Sequence, residues 1–76
     1  MANRNEIKVL KELESDGWKV LNRGAPDFLC IKVSNGNIED SKFVEVKAGS
    51  DKLTYEQAIY RKVLKQLGAQ YEIRYV

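Results

Sequence analysis

The spacing of apolar residues changes character several times along the chain, and each change marks an element. Asn3 or Asn5 can cap a first helix that runs to about Asp16 and stops at Gly17. Leu10, Leu13 and Gly17 share one face of it, supported by Ile7. From Trp18 to Leu21 the pattern reads as a strand, with Asn22-Arg23-Gly24 as the turn that follows. Pro26 cannot donate a ladder hydrogen bond, so it marks a strand start or an edge. Phe28 to Val33 and Lys42 to Lys47 are strand-like runs, and Asn35-Gly36 between them is a strong hairpin signal. Ile38 to Ser41 either extends the hairpin turn or forms a short strand of its own, and Ala48 to Asp51 is loop.

Thr54 opens a second helix, with Thr54 and Gln57 spaced as a capping box. Ile59, Val63 and Leu67 form its apolar stripe, widened by Tyr60 and Leu64, and Gly68 ends it. In the last strand, Gln70 to Val76, Tyr71, Ile73 and Tyr75 alternate with Glu72 and Arg74. The order is α-β-β-β-α-β, an α/β domain over residues 1–76, with no repeat, linker or low-complexity segment.

Composition narrows the function classes. A hydrophobic fraction of 43% beside 32% charged residues reads as soluble and globular. No apolar run approaches the ~20 residues that span a bilayer, and the polar N-terminus does not read as a secretory signal. Cys30 stands alone in a core strand, a small buried hydrophobe with no intramolecular disulfide partner, which suggests a cytoplasmic setting. Histidine is absent, which excludes histidine acid–base chemistry, Ser-His-Asp triads and histidine metal sites. One cysteine excludes a structural zinc site. The net charge of +2 is too small to announce a nucleic-acid partner, so the distribution of charge matters more.

That distribution is uneven. Folding the chain at Asn35-Gly36 brings the start of one strand near the end of the next, so Asp27 and Glu45 become neighbours. Glu45 and Lys47, two apart, project from one face. Two adjacent carboxylates repel, and a divalent cation removes the repulsion. The plainer alternative is a salt-bridge cluster at a sheet end. Glu6 lies in line with the helical leucines; it is either an acid favouring the helix dipole or an accessory acid aimed over the hairpin. Arg4, Lys8 and Lys11 form a basic stripe on the opposite face, either merely solvated or able to meet phosphates.

Pro26-Asp27 followed by Glu45-Val46-Lys47 resembles the Pro-Asp…Asp/Glu-x-Lys, or PD-(D/E)XK, nuclease superfamily. More narrowly, the chain is similar to the minimal VRR-NUC type and to archaeal Holliday-junction resolvases. Two further matches carry this: Glu6 precedes Gly17-Trp18 by about three helical turns, and Gln57 falls ten residues after Lys47. The resemblance implies a minimal restriction-endonuclease-like core with a mixed sheet flanked by helices. It implies a Mg²⁺- or Mn²⁺-dependent DNA endonuclease. Asp27, Glu45 and the Val46 carbonyl would hold metal, Lys47 would orient or deprotonate the attacking water or hold the transition-state charge, Glu6 would serve a second ion, and Gln57 would help arrange the site. A capping role for Gln57 competes with the last assignment. Arg4, Lys8, Lys11, Arg61 and Lys65 are the expected DNA contacts. A homodimer acting on branched DNA, a four-way junction above all, is expected from the small size and the resemblance. Tyr60, Leu64, Tyr71 and Tyr75 are its expected surface. A flap or splayed-arm nuclease, or a non-catalytic DNA-binding module, are the alternatives.

Overall fold

The computed structural model describes residues 4–22 and 27–76. Asn3, Arg23, Gly24, Ala25 and Pro26 lie outside the described residues, and with them the Asn3 cap, most of the first turn and the strand start expected at Pro26. The elements are α1 (Arg4–Ser15), β1 (Lys19–Asn22), β2 (Phe28–Ser34), β3 (Asn37–Lys47), α2 (Tyr55–Gln66) and β4 (Tyr71–Tyr75). One four-stranded sheet has the order β1-β2-β3-β4. The first three strands run antiparallel, and β4 joins β3 in parallel, as a helical crossover through α2 requires. The α/β class and the element order follow the sequence pattern.

Local chemistry explains the boundaries. Asn35 and Gly36 both have positive φ, 52° and 78°, and Ser34 pairs with Asn37 across them. That is the two-residue turn which matches the twist of its strands. Ile38 to Ser41 continues directly into β3, so the hairpin is longer than the minimal run, with a bulge between Lys32 and Val33. Asn5 lies inside α1 and does not cap it. At the other end, Trp18 N–H donates to the Leu13 carbonyl (3.1 Å) and Gly17 N–H to that of Glu14 (3.0 Å), with Gly17 at φ 92°. This left-handed cap is one that a Cβ would strain.

The core lies on one face of the sheet. Val9, Leu13, Phe28, Cys30 and Val44 have no exposed surface, and Leu10, Trp18, Val20 and Val46 pack around them. The α1 face is therefore centred on Val9 and Leu13, with Leu10 at its edge. Ile7, expected to support it, is 43% exposed. Beside this core Lys32 and Lys42 stand over the Trp18 ring, at 4.4 and 4.9 Å from its centroid. Lys42 and Arg74 clamp Glu72 at 2.8 and 2.7 Å. Burial works to raise the Glu72 carboxyl, but those two hydrogen bonds win and hold it below its ordinary value.

The second helix departs from its sequence pattern. The stripe of Ile59, Val63 and Leu67 is not packed into a core: these residues are 43%, 45% and 78% exposed. No residue of α2 is buried. The half-buried residues of α2 are Gln57, Arg61 and Leu64, one i, i+4, i+7 row, and the helix rests on β4. Of the four residues expected to form a dimer surface, Leu64 and Tyr71 are half-buried, and the Tyr71 hydroxyl is buried.

The two helices should therefore respond differently to truncation. Leu13→Ala removes a fully buried side chain and should cost about 2–5 kcal/mol. Ile59→Ala should cost about 1 kcal/mol or less in the isolated chain. Urea denaturation of dilute protein measures both, and equal losses would contradict this division of the core.

Candidate active site

The hairpin places the acids. The β2–β3 ladder ends at Phe28 paired with Val44, so Val46 has no β2 residue to pair with. Asp27, just before β2, fills that gap: its Oδ2 accepts from the Val46 N–H at 2.8 Å. In an extended strand the N–H and C=O of one residue point to the same edge. The Val46 carbonyl thus faces the open edge where Asp27 sits.

Glu45 is the neighbour of Val46 on the opposite face of the sheet, and it is only 3% exposed. Its carboxyl is pushed up to about 8, chiefly by burial, then by a hydrogen bond shared with Asp27 and by the Asp27 charge. Lys47 pulls the other way and Glu6 adds to the rise, so both lie within the electrostatic reach of Glu45. Thus Glu45 and Lys47 from β3, Glu6 from α1, and Asp27 just before β2 share one end of the sheet. Two neighbouring acids beside a backbone carbonyl form a hard-oxygen donor set with an excess of negative potential. That chemistry fits Mg²⁺ or Mn²⁺, which take one or two carboxylates and keep waters. Among the described residues no group of three His, Cys, Asp or Glu side chains is gathered closely enough to hold a metal, so Glu6 stands outside the pair.

Gln57 is engaged elsewhere. Its Oε1 accepts from the Thr54 N–H at 3.0 Å, and its own N–H donates to Thr54 Oγ1 at 3.1 Å. The capping box is complete. Neither hydrogen bond involves Asp27 or Glu45. Of the expected DNA contacts, Arg4, Lys8, Lys11 and Lys65 are exposed. Arg61 is not: it is half-buried, and its Nε is buried without a hydrogen-bond partner.

Sequence reading missed Tyr71 as a neighbour of the acids. The parallel register pairs Phe43 with Tyr71 and Glu45 with Ile73, so Tyr71 stands on the Glu45 face, one position along. Its hydroxyl is pushed up by burial first, then by Glu45 and Asp27, against a lowering by Arg61. Tyr71, Ile73 and Tyr75 alternate visibly in the sequence. What places them beside Glu45 is the register across α2, which no local motif fixes.

No family model, no curated protein and no solved structure matches the chain.

A pH dependence follows from Glu45. The folded chain holds this proton more tightly than the unfolded chain, whose carboxyl titrates near 4.5. As the pH rises past 4.5 the unfolded chain ionises first, so stability is lost until the folded carboxyl also ionises at about 8. In metal-free buffer Glu45→Gln should gain stability relative to wild type across that window and hold a constant lead above it. Urea midpoints at a series of pH values check this; parallel curves would disprove the buried-acid assignment.

Proposed function

We propose that the chain is a divalent-metal-dependent DNA endonuclease with a minimal restriction-endonuclease-like core. The observation that carries this reading is the Asp27–Glu45 pair: a carboxyl buried to 3% exposure and pushed up to about 8 beside a second acid. Such a pair is costly to the fold unless a cation or proton satisfies it. Asp27 and Glu45, with the Val46 carbonyl, would hold Mg²⁺ or Mn²⁺, with Glu6 behind them. A bound ion of this kind supplies a water of lowered pKa and positive charge against the phosphate. Lys47, on the Glu45 face, meets the negative charge that develops on the phosphate. Asp27 also holds the end of β3 through the Val46 N–H, which fixes the spacing of the two acids. The exposed Arg4, Lys8 and Lys11 on α1, with Lys65 on α2, supply phosphate contacts. Branched DNA is the proposed substrate class, a four-way junction first, because a domain this small offers short basic faces rather than an extended groove.

Asp27→Asn and Glu45→Gln should abolish cleavage while keeping the fold, and EDTA should do the same to the wild type. Mg²⁺ should also raise the wild-type melting temperature at pH 8 and leave both variants unmoved, a readout independent of activity. Full cleavage in EDTA, or in either variant, would defeat the proposal. Gln57→Ala separates the two roles of that residue. Loss of stability with unchanged cleavage per folded molecule assigns it to the cap alone, while a fall of about 10- to 100-fold in rate assigns it to the site. Side-by-side cleavage of junction, flap and linear duplex tests the substrate class: paired nicks across the junction support it, and faster cutting of flap or duplex overturns it.

Binding should weaken steeply with salt. Replacing Lys8 and Lys11 by alanine should make the slope of log K against log salt shallower by about 0.9 for each phosphate no longer neutralised. Fluorescence anisotropy with a labelled junction measures the slope, and an unchanged slope would exclude α1 from the interface.

A further inference from the structure

We propose that the outward face of α2 is a two-fold interface between two copies of this chain, formed by the ridge of Tyr55, Ile59, Val63 and Leu67. This places the second copy that paired cuts at a junction call for, which is where it rests on the nuclease reading. It stands on observations that involve neither the acids nor DNA.

Helix α2 is twelve residues long and buries none of them. A helix of that length is marginal in water unless an apolar face is packed. Here the apolar face points away from the protein. Tyr55, Ile59, Tyr60, Val63 and Leu67 are 81%, 43%, 49%, 45% and 78% exposed. Glu56, Ile59, Tyr60 and Val63 line a shallow groove along it. Taking about 150–250 Å² as the full surface of such large side chains, the five together expose roughly 600 Å². That reaches the upper end of what the largest apolar patch of an ordinary monomer covers. With the rim around it, the patch approaches the ~800 Å² per partner that a standard interface buries.

The sequence of the ridge selects a second copy as the occupant. Tyr55, Ile59, Val63 and Leu67 recur every four residues, with no charge among them and with Arg61 at the midpoint turned away. A two-fold axis at the level of Arg61 sets Ile59 beside Val63 of the second copy, and Tyr55 beside its Leu67. Each large residue of the ridge then meets an apolar one. Rows spaced by four are also the rows that interlock when two helices cross at about −50°. The contact is closed, because the same patch serves both copies. Nucleic acid offers little to an uncharged ridge. The surface differs from the expected tyrosine patch, since Leu64 and Tyr71 are half-buried within each chain.

Sedimentation velocity of the full chain at micromolar concentration, without DNA, should give the mass of two chains. Ile59→Lys and Val63→Glu should each weaken association by roughly 30-fold or more and sediment as monomers. Mixing the two variants should restore a dimer, because the axis puts the new lysine beside the new glutamate. A double variant, Tyr55→Cys with Leu67→Cys, should form an interchain disulfide under mild oxidation; both positions are highly exposed, so it carries the test should a charged variant fail to fold. A wild-type monomer overturns the inference, as does a dimer that survives both charged substitutions. Folded variants that stay monomeric when mixed, or a cysteine pair that does not cross-link, overturn the two-fold arrangement. A dimer without nuclease activity would sink the nuclease reading alone, and an active monomer would sink the interface alone.

Discussion

The alternation of β3 governs the molecule. Val44 and Glu45 are adjacent in the chain, so the pleat sends them to opposite faces. Val44 is fully buried in the α1 core, and Glu45 is 3% exposed on the other side. A strand cannot keep the first without committing the second. Once Val44 seals the core with Phe28 and Cys30, Glu45 must stand on the face of Tyr71 and Ile73, and Asp27 must meet it from the gap before β2. The shape of the core thus fixes the face of the acid, and the Asp27–Val46 hydrogen bond fixes its distance from Asp27.

A second consequence is that the fold is unequal on its two sides. The α1 side is sealed by five residues without exposed surface and tied at its rim by Lys42, Glu72 and Arg74. The α2 side turns Gln57, Arg61 and Leu64 inward and leaves its larger apolar residues in water. Arg61 of that inner row acts on the Tyr71 hydroxyl, drawing its titration down against burial and the two acids. With that row inward the ridge lies outward, because a single helix cannot present its apolar row both inside and outside.

Much of this was legible in the sequence, and the reasons are local. Asn35-Gly36 specified the hairpin, because positive φ at both positions is rarely tolerated by other residues. The closed hairpin brought Asp27 near Glu45, and the bulge between Lys32 and Val33, which the sequence did not mark, set the register that puts them opposite each other. The capping box at Thr54 and Gln57 was legible as a three-residue spacing, and it formed. The orientation of α2 was not legible. Its apolar arc runs from Tyr55 through Ile59 and Val63 to Leu64, and the sequence marks the arc without saying which edge meets the sheet. The place of Tyr71 beside Glu45 depended on the β3–β4 register, which is set by how far the crossover carries the chain. On α1, Val9 was missed because Leu10 shares the stripe, and only packing against the sheet centres the face on Val9 and Leu13.

The buried acid also bears on why so small a domain keeps a destabilising group. A chain of 76 residues buries a modest share of its surface, and its margin of stability is correspondingly narrow. Holding Glu45 beside Asp27 spends part of that margin at neutral pH, since the carboxyl ionises in the folded chain only at about 8. A merely structural role would be served better by an uncharged side chain of similar volume, which would pack without the penalty. A surface salt-bridge cluster does not account for the pair either, because Glu45 is buried and the pull of Lys47 does not offset burial and the Asp27 charge. The pair thus leaves an uncompensated negative potential in the folded chain, and the proposed cation site rests on it. The molecule then has two unmet demands, a charge demand at Glu45 and an apolar demand along α2. They lie on different elements, so each can be met without the other.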